Sequence, residues 1–324
     1  MSSDNSEAEA DAGAADTWCC ASCGIAEVDD IKLTECDDCD LVRYCSNACR
    51  EDHKSEHDEQ CKKRAAELRD ELLFKQPESS HLGDCPICSL PLPLDQEKYA
   101  MYLCCCKLIC RGCVIFNQIR EEEARIDQKC PFCRKTLPRT KREGDKLVMK
   151  RIQANDPLAM SQEGGNQYDK GDYIRAFEYS TKAAELGVAD AHFRLAHLYS
   201  DGLGVEMDRG KYFHHLEEAA IGGHPQARHN LGGEEWNAGN YERAVKHWII
   251  AATMGDDDAI KMLLNAFKAG YFVKDELAAA LRAHKAAVDA TKSKQRGKAE
   301  EYVRMREIIE SQANNGMQEL GKFR

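Results

Sequence analysis

Cysteine placement is the feature of this sequence with the most chemistry in it. All 17 cysteines fall between Cys19 and Cys133, and residues 134–324 hold none. Most come in short pairs: Cys20/Cys23, Cys36/Cys39, Cys45/Cys49, Cys85/Cys88, Cys110/Cys113 and Cys130/Cys133. His57 and Cys61 form a further pair, four apart and therefore on one face of a helix. A Cys-x-x-Cys pair grips one side of a single ion, and Zn²⁺ takes four N or S ligands tetrahedrally. Paired cysteines in a chain without an export signal point to metal rather than to disulfides.

The first cluster, Cys20 to Cys61, offers eight ligands, enough for two zinc ions. Its surroundings, such as "CREDHKSEHDEQC", are polar, so zinc rather than an apolar core has to supply the folding energy. Cys19 is a weaker candidate than Cys20, and His53 reads as a solvated helical histidine. In the second cluster, "CPIC", "ICRGC" and "CPFCR" give six ligands, and two more must come from the run Cys104-Cys105-Cys106. Cys104/Cys105 and Cys104/Cys106 are both workable, and one thiol is left over in either case.

"YCSNAC" followed by "HDEQC" resembles the MYND-type zinc finger, and the cysteine and histidine order of 20–61 matches it throughout. The resemblance implies interleaved ligands: Cys20, Cys23, Cys45 and Cys49 on one zinc, Cys36, Cys39, His57 and Cys61 on the other. MYND fingers bind short proline-containing peptides, and proline-containing peptides are therefore expected partners. Lys54 stands where the family usually carries Trp, so the zinc fold carries over better than the peptide specificity.

Residues 84–136 resemble a RING-type finger. Lys107 occupies the usual histidine slot, so the match is to the all-cysteine variant, in which Cys104 and Cys105 are the adjacent ligands. Cys106 then sits where such loops commonly carry glycine. The resemblance implies cross-bracing, with Cys85, Cys88, Cys110 and Cys113 on one zinc and Cys104, Cys105, Cys130 and Cys133 on the other. That makes four zinc ions for the chain. RING ligases speed ubiquitin transfer by holding an E2–ubiquitin conjugate in a closed geometry, which is catalysis by positioning. Here Ile87 and Pro131 would line the E2 groove. Arg134 would bridge E2 and ubiquitin, a task for which a planar guanidinium is suited. Glu121, Glu122 and Glu123 read as a solvated helical face.

The elements that must hold these groups are mostly helical. Residues 62–75 look helical, and Pro77 to Gly83 reads as a linker. After "RKTLPRTKR", a basic stretch read as a solvated linker, a phrase recurs. An aromatic precedes a glycine by three at Tyr168/Gly171, Tyr199/Gly202, Trp236/Gly239 and Phe267/Gly270. Ala-Ala-x-x-Gly recurs at Ala183, Ala219 and Ala251. Periods of this length mark a helical solenoid. "AHFRLAHLYSDGLGVEMDRGKYFHHLEEAAIGGHPQA" resembles a Sel1-like repeat, a relative of the tetratricopeptide repeats. Gly202-Leu203-Gly204 fits a repeat turn better than a phosphate loop, and Tyr199, Phe213, Trp236 and Trp248 read as solenoid core. Leu277, Leu281, His284 and Val288 mark a capping helix.

The fold expected is thus mostly α: two small cross-braced zinc-finger modules followed by an α-helical Sel1-like solenoid. The segments are a disordered acidic tail (1–17), a MYND-type finger (18–61), a helical linker (62–83), a RING-type finger (84–136), a basic linker and helix (137–154), helical repeats (155–274) and C-terminal capping helices with a tail (275–324). A net charge of −11 argues against general nucleic-acid binding, and no apolar run reaches a membrane span of about 20 residues. An intracellular site, cytoplasmic or nuclear, is expected. The function expected is a RING-type E3 ubiquitin ligase that recruits substrate proteins through its MYND finger and solenoid. The alternative is a non-catalytic adaptor that organises protein partners.

Overall fold

A computed structural model describes residues 18–321, with side chains as far as 308. The acidic stretch at 1–17 lies outside the described residues. The chain divides into two compact units at Leu73/Phe74.

The first unit is a short antiparallel hairpin, β1 (Thr34–Glu35) with β2 (Arg43–Tyr44), followed by the 27-residue helix α1 (Asn47–Leu73). The last finger helix and the expected linker helix are therefore one continuous element. Its buried residues are His57, Cys61 and Leu73, so α1 has almost no apolar face to dock with. A polar tie does part of that work, with Arg64 forked onto Asp40 at 2.8 and 2.9 Å, while Lys62 and Asp58 pair at i, i+4 along the helix itself.

In the second unit, a 3₁₀ turn (Gln96–Lys98) leads into the hairpin β3 (Tyr99–Tyr102) and β4 (Lys107–Cys110), then α2 (Arg111–Glu123). Leu92, Ile109 and Val114 pack with Cys85, Cys110 and Cys113 into a small core. Helix α3 (Lys141–Gln153) follows, and then the solenoid pairs α4 (Pro157–Asp169) with α5 (Tyr173–Glu185), α6 (Ala189–Asp201) with α7 (Arg209–Ile221), and α8 (Pro225–Asn237) with α9 (Tyr241–Thr253). Helices α10 (Asp257–Lys268), α11 (Lys274–Ala290) and α12 (Lys294–Gly321) complete the chain. No described helix is long and apolar enough to cross a membrane.

The solenoid is built on small residues. Ala176, Ala183, Ala219, Ala227, Ala251 and Ala259 are fully buried, which lets paired helices approach closely. The closest approach is at Gly232, where a Cβ would lie 2.4 Å from Trp248 Nε1. Trp248 is fully buried and donates to His229 O at 3.2 Å. Tyr199 is buried with it, as expected, whereas Phe213 and Trp236 are only half-buried. Helix starts are capped by side chains: Asp156, Asp172, Asp208 and Asp256 each accept from an amide in the first turn. Gly202 ends α6 in the left-handed region, which accounts for "GLG" as a turn. In the capping helix α11, Leu277 is buried but Leu281 is exposed.

Composition does not mark the structural division. The second cysteine module shares a unit with the solenoid, and Cys106, Val148 and Ala159 form a common core with Leu103, Ile152 and Leu158.

Candidate metal centres

Three knuckles of this chain are one loop used three times. In each, the amide of the first cysteine donates to the carbonyl five residues on: Cys20 to Ile25, Cys85 to Leu90, Cys130 to Lys135. In each, the residue after the second cysteine donates back to the first cysteine's carbonyl: Gly24, Ser89, Arg134. That residue is left-handed every time, with φ of 76°, 51° and 63°. The backbone curls so that both sulfurs face one point, and amides of Cys110, Cys113 and Cys133 donate to thiol sulfurs at 3.4–3.5 Å. Such donors favour the thiolate form that binds metal.

The structure gathers the candidate ligands into four groups of four: Cys20, Cys23, Cys45 and Cys49; Cys36, Cys39, His57 and Cys61; Cys85, Cys88, Cys110 and Cys113; Cys104, Cys105, Cys130 and Cys133. Within each group the ligand atoms lie inside 4.8 Å of one another. Contacts such as Cys23–Cys45 at 3.5 Å, Cys36–Cys61 at 3.6 Å, Cys39 Sγ–His57 Nε2 at 3.2 Å, Cys88–Cys110 at 3.8 Å and Cys104–Cys133 at 3.3 Å are far too long for disulfides. They are near the edge of about 3.8 Å that a tetrahedron with Zn–S bonds of about 2.3 Å requires. All 17 cysteines are free thiols. Crowding sets them against one another: hydrogen bonding to Cys110 helps bring Cys85 down to about 4, while burial pushes Cys113 and Cys61 up to about 12. One thiolate in such a group resists a second, and a dication is the counter-charge that lets all ionise. The donor sets, three all-thiolate and one Cys₃His, fit zinc.

Of the three adjacent cysteines, Cys104 and Cys105 face the fourth group. Cys106 turns away at φ 51°, the conformation for which glycine is the usual choice, and is buried against Val148 and Ala159. The leftover thiol is therefore a core residue rather than a bystander. Cys19 joins none of the four groups.

Two other readings of the sequence need correcting. His53 is not simply solvated: it hydrogen-bonds the Tyr44 hydroxyl at 3.1 Å and stacks on the His57 ring. Glu121 is not on a solvated face: it is 1% exposed and accepts from the Lys129 amide at 3.1 Å. Sequence periodicity alone gives no sign of either contact.

Ile87, Pro131 and Arg134 converge on one shallow groove of about 220 Å³, together with Phe116, Asn117 and Gln295. Ile87 is 42% exposed. The Arg134 guanidinium donates to Asn117 Oδ1 at 2.9 Å and lies 3.8 Å from Glu121.

A fifth group, His81, Asp190 and His224, also lies within 4.8 Å. Asp190 and His224 are already engaged through hydrogen bonds, and His81 through its ring. The two rings stack at 4.1 Å, His224 Nδ1 accepts from the Ala227 amide, and Asp190 accepts from Ser161 and Arg194 at 2.9 Å. Parallel rings do not aim two lone pairs at one ion, so this group is a junction that holds the segment after Phe74 onto α6 and α8. It flanks a cavity of about 810 Å³ that Tyr99 and Met101 of the β3 strand and Phe193 and Arg194 of α6 also line.

Family comparisons cover the first cysteine module and the repeats. The MYND finger family matches residues 20–61, and the Sel1 repeat family matches 158–188, 189–224 and 226–256. No curated protein matches the chain. Among solved structures, a protective antigen of uropathogenic Escherichia coli displaying an SLR fold is 26% identical, over 46% of this chain and 34% of its own length, with a TM-score of 0.39. A Sel1 repeat protein from Oxalobacter formigenes is 24% identical, over 56% of this chain and 72% of its own, with a TM-score of 0.40. The chain thus spans about a third of the first of these structures. MYND fingers and Sel1 repeats are protein-interaction modules, so this chain is a mostly helical zinc-finger protein that carries a MYND finger at 20–61 and three Sel1 repeats between 158 and 256.

Proposed function

We propose that residues 84–136 form an all-cysteine RING-type finger and that the chain is an E3 ubiquitin ligase whose MYND finger and Sel1 repeats recruit substrate proteins. The observation that carries this reading is the convergence of Ile87, Pro131 and Arg134 on one exposed groove beside two interleaved cysteine groups. Cys85, Cys88, Cys110 and Cys113 would hold one ion, and Cys104, Cys105, Cys130 and Cys133 another. With the two of the MYND finger, the chain would carry four zinc ions. The metal supplies rigidity, and the chemistry belongs to the E2. This chain's contribution is positional: apolar Ile87 docks an E2 loop, and Arg134 reaches across to ubiquitin. In the free protein the Arg134 guanidinium is parked on Asn117 and near Glu121. It is half exposed, so engagement exchanges one exposed hydrogen bond for another and costs little.

The test is discharge of ubiquitin from a panel of charged E2 enzymes. Ile87→Ala removes buried area on docking and should weaken E2 binding by about 1 to 3 kcal/mol. Arg134→Ala should leave binding nearly intact and slow discharge. Both variants should retain their zinc. A wild-type chain that stimulates no E2, or activity that survives both substitutions, leaves the adaptor reading, with MYND finger and repeats organising partners and the second module serving as scaffold.

A further inference from the structure

A buried arginine without a carboxylate is an anomaly that asks for a counter-charge. Arg296, near the start of α12, is 7% exposed, and no described carboxylate lies within ion-pairing distance of it. Its guanidinium is nonetheless crowded with four acceptors, three of which come from the knuckle that follows Cys85. Nη1 donates to Pro91 O at 2.7 Å and to Thr291 O at 2.6 Å, while Nη2 donates to Leu90 O at 3.1 Å and to Cys88 Sγ at 3.4 Å. The approach is built for: a Cβ at Gly112, beside Cys113 on α2, would lie 2.9 Å from Arg296 Cγ and 3.1 Å from its Cα.

Four thiolates around one dication carry a net charge of about −2. Cys85, Cys88, Cys110 and Cys113 form such a set, and the guanidinium stands directly against one of its sulfurs. We propose that Arg296 is a positioning residue for this metal centre. It neutralises the tetrathiolate, fixes the Cys85–Pro91 knuckle through two carbonyls, and thereby makes docking of the C-terminal helix depend on the bound metal. The two ion pairs that flank it are long and exposed, Lys98–Glu300 at 3.5 Å and Arg306–Glu122 at 3.9 Å, and the one other buried side chain among the described residues of the helix is the small Ala299. Arg296 is the buried polar pin of that interface. Because Gln295 lines the groove of Ile87 and Arg134, the helix it holds also forms one wall of that groove. The inference needs the third centre to hold an ion; it does not need ligase activity.

The experiment uses the full-length zinc-loaded chain, with metal counted by elemental analysis, release to a chromophoric chelator followed in time, and amide hydrogen exchange read over 294–308. In wild type, one zinc equivalent should leave together with a rise in exchange of that helix. Arg296→Ala should speed release of that one equivalent at least tenfold and raise helix exchange to a similar degree, with the other equivalents unchanged. Arg296→Lys keeps the charge but not the fork, and should fall between the two. Lys298→Ala, an exposed neighbour, should change neither readout. Faster helix exchange in Arg296→Ala with unaltered metal release would reduce the residue to a helix anchor and overturn the proposal. So would an unaltered helix, or a Cys85→Ser chain that keeps its full zinc load, since then there is no charge to clamp. None of these three results bears on E2 stimulation.

Discussion

The two cysteine modules have similar ligand spacings and are held together in different ways. In the first, Cys20, Cys39, Tyr44, His57 and Cys61 are among the few buried residues, and most of those are ligands. Cys19, Cys23 and the flanking charges are exposed. In the second, the ligands Cys85, Cys110 and Cys113 pack with Leu92, Ile109 and Val114, and Cys106 and Leu103 share a core with the solenoid. The same metal chemistry therefore does different amounts of structural work. For 20–61 the ion is most of the folding energy, whereas for 85–133 it adds to packing that exists around it.

Removing metal should break the comparison open with the largest effect. On a strong chelator, residues 18–61 should lose all amide protection, while α4 to α10 should keep theirs and most of the helical circular dichroism should persist. If the solenoid melts together with the first finger, the contrast is false. One step smaller is the loss of a single ligand. His57→Ala should lose about one zinc and unfold only the first unit, and Cys105→Ser should lose about one zinc but keep exchange protection across α3 and α4.

The solenoid is to be broken by packing instead. Gly232→Ala drives a methyl into the Trp248 ring and should cost about 1 to 3 kcal/mol in urea unfolding, with zinc content unaltered. Gly233→Ala, where nothing lies within 4 Å, should be neutral or stabilising by up to about 1 kcal/mol. Acid provides a milder probe. Burial holds His224 down at about 3, and it lowers His81 and His192 below the usual 6.5. Depressed histidines contribute stability that is complete above the unfolded value of 6.5 and is lost as the pH falls from there towards the folded value. The urea midpoint read at Trp236 and Trp248, in a Trp18→Phe background, should therefore drop between pH 7 and 5. The drop should be smaller in His224→Asn, which keeps a capping side chain. Smallest of all, Cys106→Ser should retain full zinc yet lose about 1 kcal/mol, because a hydroxyl replaces a thiol in the core of Val148 and Ala159.

Spacing made the ligand groups legible, because a tetrahedral ion needs pairs and pairs are local. Repeats were legible because alanines and glycines must recur where helices touch. What stayed hidden was long-range. Arg296 lies in "SKQRGKAE", an unremarkable polar stretch, yet all but one of its partners lie some 200 residues earlier. Glu121 reads as one of three surface glutamates, and only the turn at Lys129 buries it. His81 sits in a linker by composition, and its stacking on His224 follows from the register of α8, which no local pattern encodes. The division at Leu73 was hidden for the same reason, since cysteine content changes near 134 while packing does not.

The left-handed residue after each knuckle has a mutational consequence. At Gly24 the chain uses the amino acid that this backbone favours, whereas at Arg134 it keeps a bulky side chain in a conformation that penalises it. Changing that position to glycine relieves the backbone and deletes the guanidinium in one step. Arg134→Gly therefore has two opposed effects: it frees the knuckle backbone and leaves every metal ligand in place, but it removes the guanidinium that sits on Asn117 and beside the buried Glu121. Set beside Arg134→Ala, which deletes the same guanidinium without relieving the backbone, it separates the cost of the conformation from the work of the side chain.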